Sequence, residues 1–434
     1  MSLNVSKFFK ACNPSKTLMV GRPEDRQYYI DFSPVRDSNI IHQLERTITL
    51  SEDEPNCQLF TGHIGSGKST ELLRLKTDLE QKDFYVVYFE SNKALDIGDV
   101  DISDILLAIA LHVTKSLEEA QLHPYLGGFA DLFAELAKKI PSLDLGFEAE
   151  LSVIIGKITA KTKDSPELRK SLRQYLEPRT NNLLDAMNRE LLEPTQKRLK
   201  QQGKKGLVVI IDNLDRIDNR PTASGRSQTE YLFIDRGDQL QQLKCHLVYT
   251  VPLSLIFSNN FGQLTNRFGI QPLLLPMVPV KSRKGDENKE GIALLQQMVL
   301  ARAFPGLNSL QRIEQATEVF DSLETLKRLC CISGGHVRNL LVLLYSCLQQ
   351  IDPPISRNCL EAVIKRYRGD LELSVSDEQW QLLRHISQEK MISEEPEYQA
   401  LLRSLFVFEY RDKRDDRWFD INPALVESEG FKDE

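Results

Sequence analysis

The residues in this chain best suited to chemistry are Gly62, His63, Ile64, Gly65, Ser66, Gly67, Lys68, Ser69 and Thr70. They fit G-x-x-x-x-G-K-[ST], the spacing of a phosphate-binding P-loop. Glycines let the backbone turn tightly enough for successive amides to face phosphate oxygens. Lys68 adds a point charge for β- and γ-phosphates, and the Ser69 hydroxyl is a ligand type for Mg2+. Further on, the apolar run Leu207-Val208-Val209-Ile210-Ile211 ends in Asp212, whose carboxylate can hold Mg2+ directly or through water. Asp215 follows, with Arg216 beside it as a salt-bridge partner.

These groups need elements to position them. Residues 57–61 read as a short buried strand entering the loop, and residues 70–76 as a helix leaving it with its N-terminal dipole toward the phosphates. Residues 84–90 (Phe84-Tyr85-Val86-Val87-Tyr88-Phe89-Glu90) form an unbroken β-favouring run, as a parallel strand covered on both faces does. Helices are expected near 37–49 and 103–117, and strands at 206–212, 247–256 and 270–275. Residues 120–205 lack strand–helix alternation. Leu168, Leu172 and Leu176 make one apolar stripe there, and Leu183, Leu184, Met187, Leu191 and Leu192 another, punctuated by Pro178 and Pro194. This segment is either a helical subdomain packed on the sheet or an arm for a partner. Pro276, Pro279 and the charged run 281–289 mark a boundary. Helices near 289–303, 309–329 and 340–348 follow, then 356–368, 376–388 and 396–404. Two short strands around the charged turn 411–416 close the chain as a hairpin. The expected division is a lead-in (1–55), a core (56–280) with a helical insertion (120–205), a helical lid (281–351), and a C-terminal domain (352–434) of three helices and a hairpin, the plan of a winged helix.

Together these residues resemble STAND-type and AAA+ P-loop ATPases, with a KAP-like Walker B motif in Ile211-Asp212-Asn213-Leu214-Asp215-Arg216; the resemblance spans about residues 35–425. It implies an α/β fold: a P-loop NTPase parallel sheet with a helical insertion, a helical lid and a C-terminal winged helix. It also implies ATP and Mg2+ as ligands, and an ATPase that acts as a switch for assembly. Several site residues come with the resemblance. Thr250 falls where such proteins carry a γ-phosphate sensor. Arg267, before the last core strand, falls where oligomeric relatives place an arginine finger; the residues themselves also read as a surface arginine capping a helix end. Arg338, with Gly335, fits the Gly-x-x-Arg of a second sensor in the lid. Arg36 and Val35 lie where a base or ribose contact is often made, or are plain turn and core. Many AAA+ proteins carry Glu after the Walker B Asp; Asn213 stands here and cannot take a proton. Hydrolysis therefore either uses Asp215 or is slow.

The chain has 434 residues, 41% of them hydrophobic and 27% charged, which is ordinary for a globular protein large enough for several domains. The net charge is −7, so there is no global basic field for nucleic acid. From Asp352 to Glu434 there are 12 Lys and Arg against 19 Asp and Glu. Duplex binding rests on phosphate neutralisation, so an acidic winged helix suits protein docking, and strong duplex-DNA binding is not expected of it. The seven cysteines show no zinc or CxxC spacing and read as reduced cytoplasmic thiols. No apolar run is long enough for a membrane span. The leading expectation is an ATP-dependent switch, hydrolysing slowly, that assembles or remodels a protein complex. It would act through a separately encoded protein partner and as a possible homo-oligomer. The alternative is a DNA-loading AAA+ ATPase of the replication-initiator or transposition-helper type, and a third reading is a nucleotide-binding structural subunit.

Overall fold

The computed structural model describes residues 3–36, 39–51, 53–122, 135–136, 139–140, 151–222, 225–412 and 416–432. Its residues group into two compact units. One comprises residues 41–61 and 75–273, the other residues up to Ile40, 62–74 and from Leu274 onward.

Most of a parallel sheet belongs to the first of these units. Its strands are β1 (Cys57–Gly62), β2 (Phe84–Glu90), β3 (Gly206–Asp212) and β4 (His246–Thr250), and a short β5 (Leu273–Leu275) completes the order β2-β3-β4-β1-β5. β3 is buried along its whole length, as expected of a Val/Ile run in a parallel sheet covered on both faces. β2 lies at the edge of the order and leaves Tyr85, Tyr88 and Glu90 only partly buried. The β2–β3 register runs from Phe84↔Gly206 to Glu90↔Asp212, so both strands end in a carboxylate at the same edge of the sheet. The helix Ile102–Glu119 packs against this sheet through Ile105 and Ile109. It begins in a capping box in which Asp101 and Asp104 each accept a backbone N–H of the other's position. Asp104, Asp96 and Asp99 also receive Arg169 and Arg173 from the helix Pro166–Leu176, so buried cations tie this helical segment down through paired carboxylates. The apolar stripes of the helical segment are turned inward: Leu172, Leu176, Leu183, Leu184, Met187, Leu191 and Leu192 are all buried.

The other unit is mostly helical. The N-terminal helix Val5–Ala11 is capped by Asn4 and drives Phe8 into a core built from the helices Lys289–Ala303, Leu323–Ile332, Val337–Leu348 and Arg357–Glu372. The helices Asp377–Glu389 and Pro396–Arg403 follow, then an antiparallel pair, β6 (Val407–Arg411) and β7 (Arg417–Ile421), in register Val407↔Ile421. Tyr410 and Trp418 stack across this hairpin with ring centroids 4.5 Å apart.

Some elements are shorter than the sequence pattern predicts. The strand expected at 247–256 stops at Thr250, because Pro252 has no N–H to donate to a ladder, and residues Leu253–Ile256 form a helical turn instead. The strand expected at 270–275 reduces to Leu273–Leu275 after Pro272. The helix expected at 309–329 is broken: Ser322 caps a new start by accepting the Thr325 N–H, and the second helix runs Leu323–Ile332. The helix expected from 37 begins at Ile40, with residues 37 and 38 outside the described residues. Much of the 120–150 stretch and residues 413–415 of the hairpin turn also lie outside them. No helix among the described residues is long and apolar enough to cross a membrane.

Candidate nucleotide-binding site

The P-loop leaves β1 at Gly62 and enters the helix Lys68–Gln81. Gly65 and Gly67 have φ of +90° and +107°, the left-handed region where a Cβ is strained. At Gly65 a Cβ would also lie 2.7 Å from the His336 ring and 2.9 Å from Arg338 Cβ. Lys68 is nearly buried, and its ammonium donates to the carbonyls of Gly62 (2.7 Å) and His63 (2.8 Å) inside the loop's own curve. The Ser66 hydroxyl is buried with no hydrogen-bond partner among the described residues. A buried, unpartnered hydroxyl is costly unless something else supplies the bond, so the loop fits a phosphate chain. Ser69 and Thr70 occupy the first helical turn, where unpaired N–H groups favour an anion.

The segment before β1 also serves the loop. Arg36 is 3% exposed, and its Nη2 donates to the Ser66 carbonyl at 2.7 Å. Its burial lowers its pKa, against the pull of the Glu71 carboxylate. Glu71, on the P-loop helix, accepts from the Tyr29 hydroxyl, which in turn accepts from Arg74 at 2.8 Å. Burial raises the Glu71 pKa, and Arg36 and Arg74 oppose that shift. Val35 is a core residue.

The start of the helix Val337–Leu348 lies on the loop. His336 caps it: its Nδ1 accepts the Asn339 N–H at 2.9 Å. The proton must then sit on Nε2, which donates to the Ile64 carbonyl at 2.8 Å. The Arg338 N–H donates to the Gly65 carbonyl at 3.2 Å. Burial pushes the His336 pKa down to about 4, with the nearby Arg338, Lys68 and Arg36 charges adding to it. Phe408 of β6 stacks on His336 (5.6 Å, 13°) and meets His63 edge-on. His63 Nε2 accepts the Glu409 N–H at 2.9 Å, and burial holds the His63 pKa well below its ordinary value. P-loop, helix N-terminus and hairpin are thus joined through two neutral imidazoles.

Asp212 is held by equally specific contacts. Asp212 is fully buried; one oxygen accepts from the Tyr88 hydroxyl at 2.7 Å and the other from the Asn213 N–H at 2.7 Å. Asn213 sits in the left-handed region (φ 66°), which asparagine tolerates. Its side-chain amide donates to Asn92 Oδ1 at 3.0 Å and to Glu90 Oε2 at 3.4 Å. Thr250 Oγ1 donates to the Ile211 carbonyl and accepts the Leu214 N–H at 2.9 Å, so this hydroxyl fixes the turn after Asp212. Asp215 is 7% exposed within that turn. Arg267, in the last turn of the helix Phe261–Phe268, forms an ion pair with Asp238.

Sequence reasoning singled out the loop, Asp212 and Arg338. It missed His336 and Phe408 as loop contacts and Tyr88 and Glu90 as neighbours of Asp212. A shared acidic ending on two β-runs was the available signal for Glu90.

No family model and no curated protein matches the sequence. Among solved structures, a Walker-type ATPase of Pyrococcus abyssi is similar at 13% identity and a TM-score of 0.42, over 94% of this chain and 96% of that one. The ORC2 protein of Aeropyrum pernix in ADPNP–ADP complexes is similar at 11% identity and 0.40, over 90% and 91%. The Cdc6p of Pyrobaculum aerophilum is similar at 13% identity and 0.37, over 94% and 97%. These likenesses are weak, and the functional reading rests on this chain's own residues.

Proposed function

We propose that the chain is an Mg2+-dependent, slowly turning-over ATPase of the STAND/AAA+ type, with a KAP-like Walker B motif, and that nucleotide state controls its assembly with a protein partner or with further copies of itself. The observation that carries this reading is the P-loop: Lys68 folded into the loop beside the unpartnered Ser66 hydroxyl, at the start of a helix. In this reading Lys68 leaves the Gly62 and His63 carbonyls to meet β- and γ-phosphates, and the loop amides hold the rest of the chain. Ser69 and Asp212 would hold Mg2+, which when bound neutralises phosphate charge. Arg338 reads the phosphates from the lid. Thr250 and Asp215 shape the turn that presents Asp212, and Arg267 reaches a neighbouring subunit only after release from Asp238. The C-terminal helices and hairpin act as a winged helix that docks on protein.

The test is size-exclusion light scattering of the full chain with ATP, ADP or no nucleotide, beside calorimetric titration of Mg2+-ATP. A change of mass between nucleotide states, together with measurable ATP binding, is the expected result. ATP binding with one mass in every state removes the assembly switch and leaves a nucleotide-binding structural subunit. A second reading, DNA loading, is favoured by one observation: residues 151–205 carry 13 Lys and Arg against 6 Asp and Glu. Duplex DNA added in a parallel run distinguishes it.

A further inference from the structure

The mostly helical unit holds a cavity that the nucleotide site does not use. Its volume is about 100 Å3, and it lies between the hairpin, the end of the helix Asp377–Glu389 and the segment at Val280 and Lys281. Every residue lining it falls between Val280 and Val426, inside one compact unit. A water needs about 10–15 Å3 of such space and an apolar cavity of about 150 Å3 takes benzene, so this one has room for several heavy atoms. One wall is preformed. The Trp418 ring stacks on Tyr410, and the Tyr410 hydroxyl is pinned by donating to the Gly334 carbonyl at 2.7 Å. Val280, Ile421 and Val426 add aliphatic surface. Trp418 is 2% exposed, yet its indole N–H donates to no group among the described residues. A buried indole N–H usually has a partner, and an acceptor inside the cavity would supply one. The charges on the lining are unequal. Lys390 donates to Asp420 at 2.8 Å, and each side chain is about a fifth exposed, so these two satisfy each other. Lys281 is exposed and forms no ion pair among the described residues, which leaves the lining with one cation in excess.

We propose that this cavity binds a small organic monocarboxylate, its carboxylate at Lys281 and its apolar body against the Trp418 ring. The lining selects that class. One uncompensated cation suits a monoanion, whereas Asp420 at the same site repels a dianion such as hydrogen phosphate. The aliphatic wall offers an inorganic anion nothing to bury, and each CH2 of a short chain buried there adds to binding. An acid of about five carbons is close to the available volume. A neutral molecule of the same shape fills the space and leaves Lys281 without its counter-charge. The binding is non-covalent, and none of the residues involved belongs to the P-loop or to the Asp212 turn, so the site stands independently of the ATPase reading.

The experiment titrates the full chain with isovalerate and follows the indole N–H resonances of its two tryptophans, Trp380 and Trp418. Trp380→Phe assigns them. The Trp418 resonance should shift saturably, with half-saturation at or below about 1 mM. Isovaleramide, the neutral isostere, and inorganic phosphate should each bind at least about tenfold more weakly, as the loss of a charge-assisted contact or of the buried chain requires. Lys281→Met should bring isovalerate down to the affinity of the amide at an unchanged melting temperature, and Lys281→Arg should keep most of the wild-type affinity. Val426→Phe, which adds a ring to the lining, should abolish the shift for every probe. No saturation by about 10 mM isovalerate overturns the proposal. So does equal binding of isovaleramide, phosphate binding tighter than isovalerate, or wild-type affinity in Lys281→Met. A shift confined to Trp380 would place the ligand elsewhere and overturn it too.

Discussion

At the residue scale, Lys68 and Asp212 carry separable expectations. Lys68→Ala removes a charge-assisted contact to phosphate worth on the order of 1.5–3 kcal/mol, so calorimetry should show ATP affinity lowered by roughly 10- to 150-fold in a folded protein. Equal affinity would remove the P-loop from nucleotide binding. Asp212→Ala would leave the Tyr88 and Asn213 donors facing a gap, so Asp212→Asn is the better test. It should abolish the gain in ATP affinity on adding Mg2+ and leave Mg2+-free binding unchanged. Asp215→Asn should lower the melting temperature and leave phosphate release per folded molecule unchanged; a large loss of rate at constant melting temperature would make Asp215 the base. The difference in legibility among these residues is physical. The loop from Gly62 to Thr70 is a local device whose spacing states its geometry. Glu90 acquires its position only through the β2–β3 register, a pairing across 122 residues of sequence that the acidic ends of the two runs signal but do not fix.

At the element scale, the N-terminus of the helix Val337–Leu348 holds the loop. The sequence shows a Gly-Gly turn, a helix start and Arg338, and all are present; what it could not show is that the capping His336 reaches the Ile64 carbonyl. His336→Asn keeps a good capping side chain but is too short for Ile64, whereas His336→Ala loses both bonds. The alanine variant should therefore be the less stable, by about 1 kcal/mol for the cap, and both should expose the loop from Ile64 to Gly65 to faster amide exchange. Equal protection in wild type and His336→Asn would deny the contact a holding role. Acid should act on the same joint. His336 and His63 have folded pKa values below the ordinary imidazole value, near 4 for His336, so between about pH 6.5 and 4 the unfolded chain binds more protons than the folded one. Their stabilising contribution is complete above that window and is lost as pH falls through it. Protonating His336 Nδ1 would also set N–H against the Asn339 N–H. Melting measured from pH 7 to 4.5 should fall more steeply in wild type than in His336→Asn; parallel curves would place the acid sensitivity elsewhere. The strands teach the converse lesson. Apolar runs at 247–256 and 270–275 promised longer strands than form, because Pro252 and Pro272 end the ladders whatever their neighbours prefer.

At the scale of the whole molecule, charge decides between partners. The chain is net −7 and its last 83 residues are as acidic, yet the described helical segment 151–205 is basic. Much of that cationic charge is already committed: Arg169 and Arg173 are bound to Asp96, Asp99 and Asp104, Lys200 pairs with Asp53, and Lys204 with Asp83. Lys170, Arg189 and Lys197 remain exposed on this segment. Each phosphate neutralised contributes a slope of about −0.9 to the dependence of log K on log salt, so a few available cations support a shallow slope and weak affinity. The full chain should therefore bind a duplex of mixed sequence more weakly than about 1 μM at 150 mM salt, with or without ATP, when followed by fluorescence anisotropy. Its slope should be no steeper than about −3, one unit for each of those side chains. Reversing Lys170, Arg189 and Lys197 to glutamate should remove what binding there is and leave ATP affinity untouched. Nanomolar, ATP-dependent binding that disappears in the reversed variant would instead make residues 151–205 the DNA-contacting arm of a loader and overturn the protein-assembly reading.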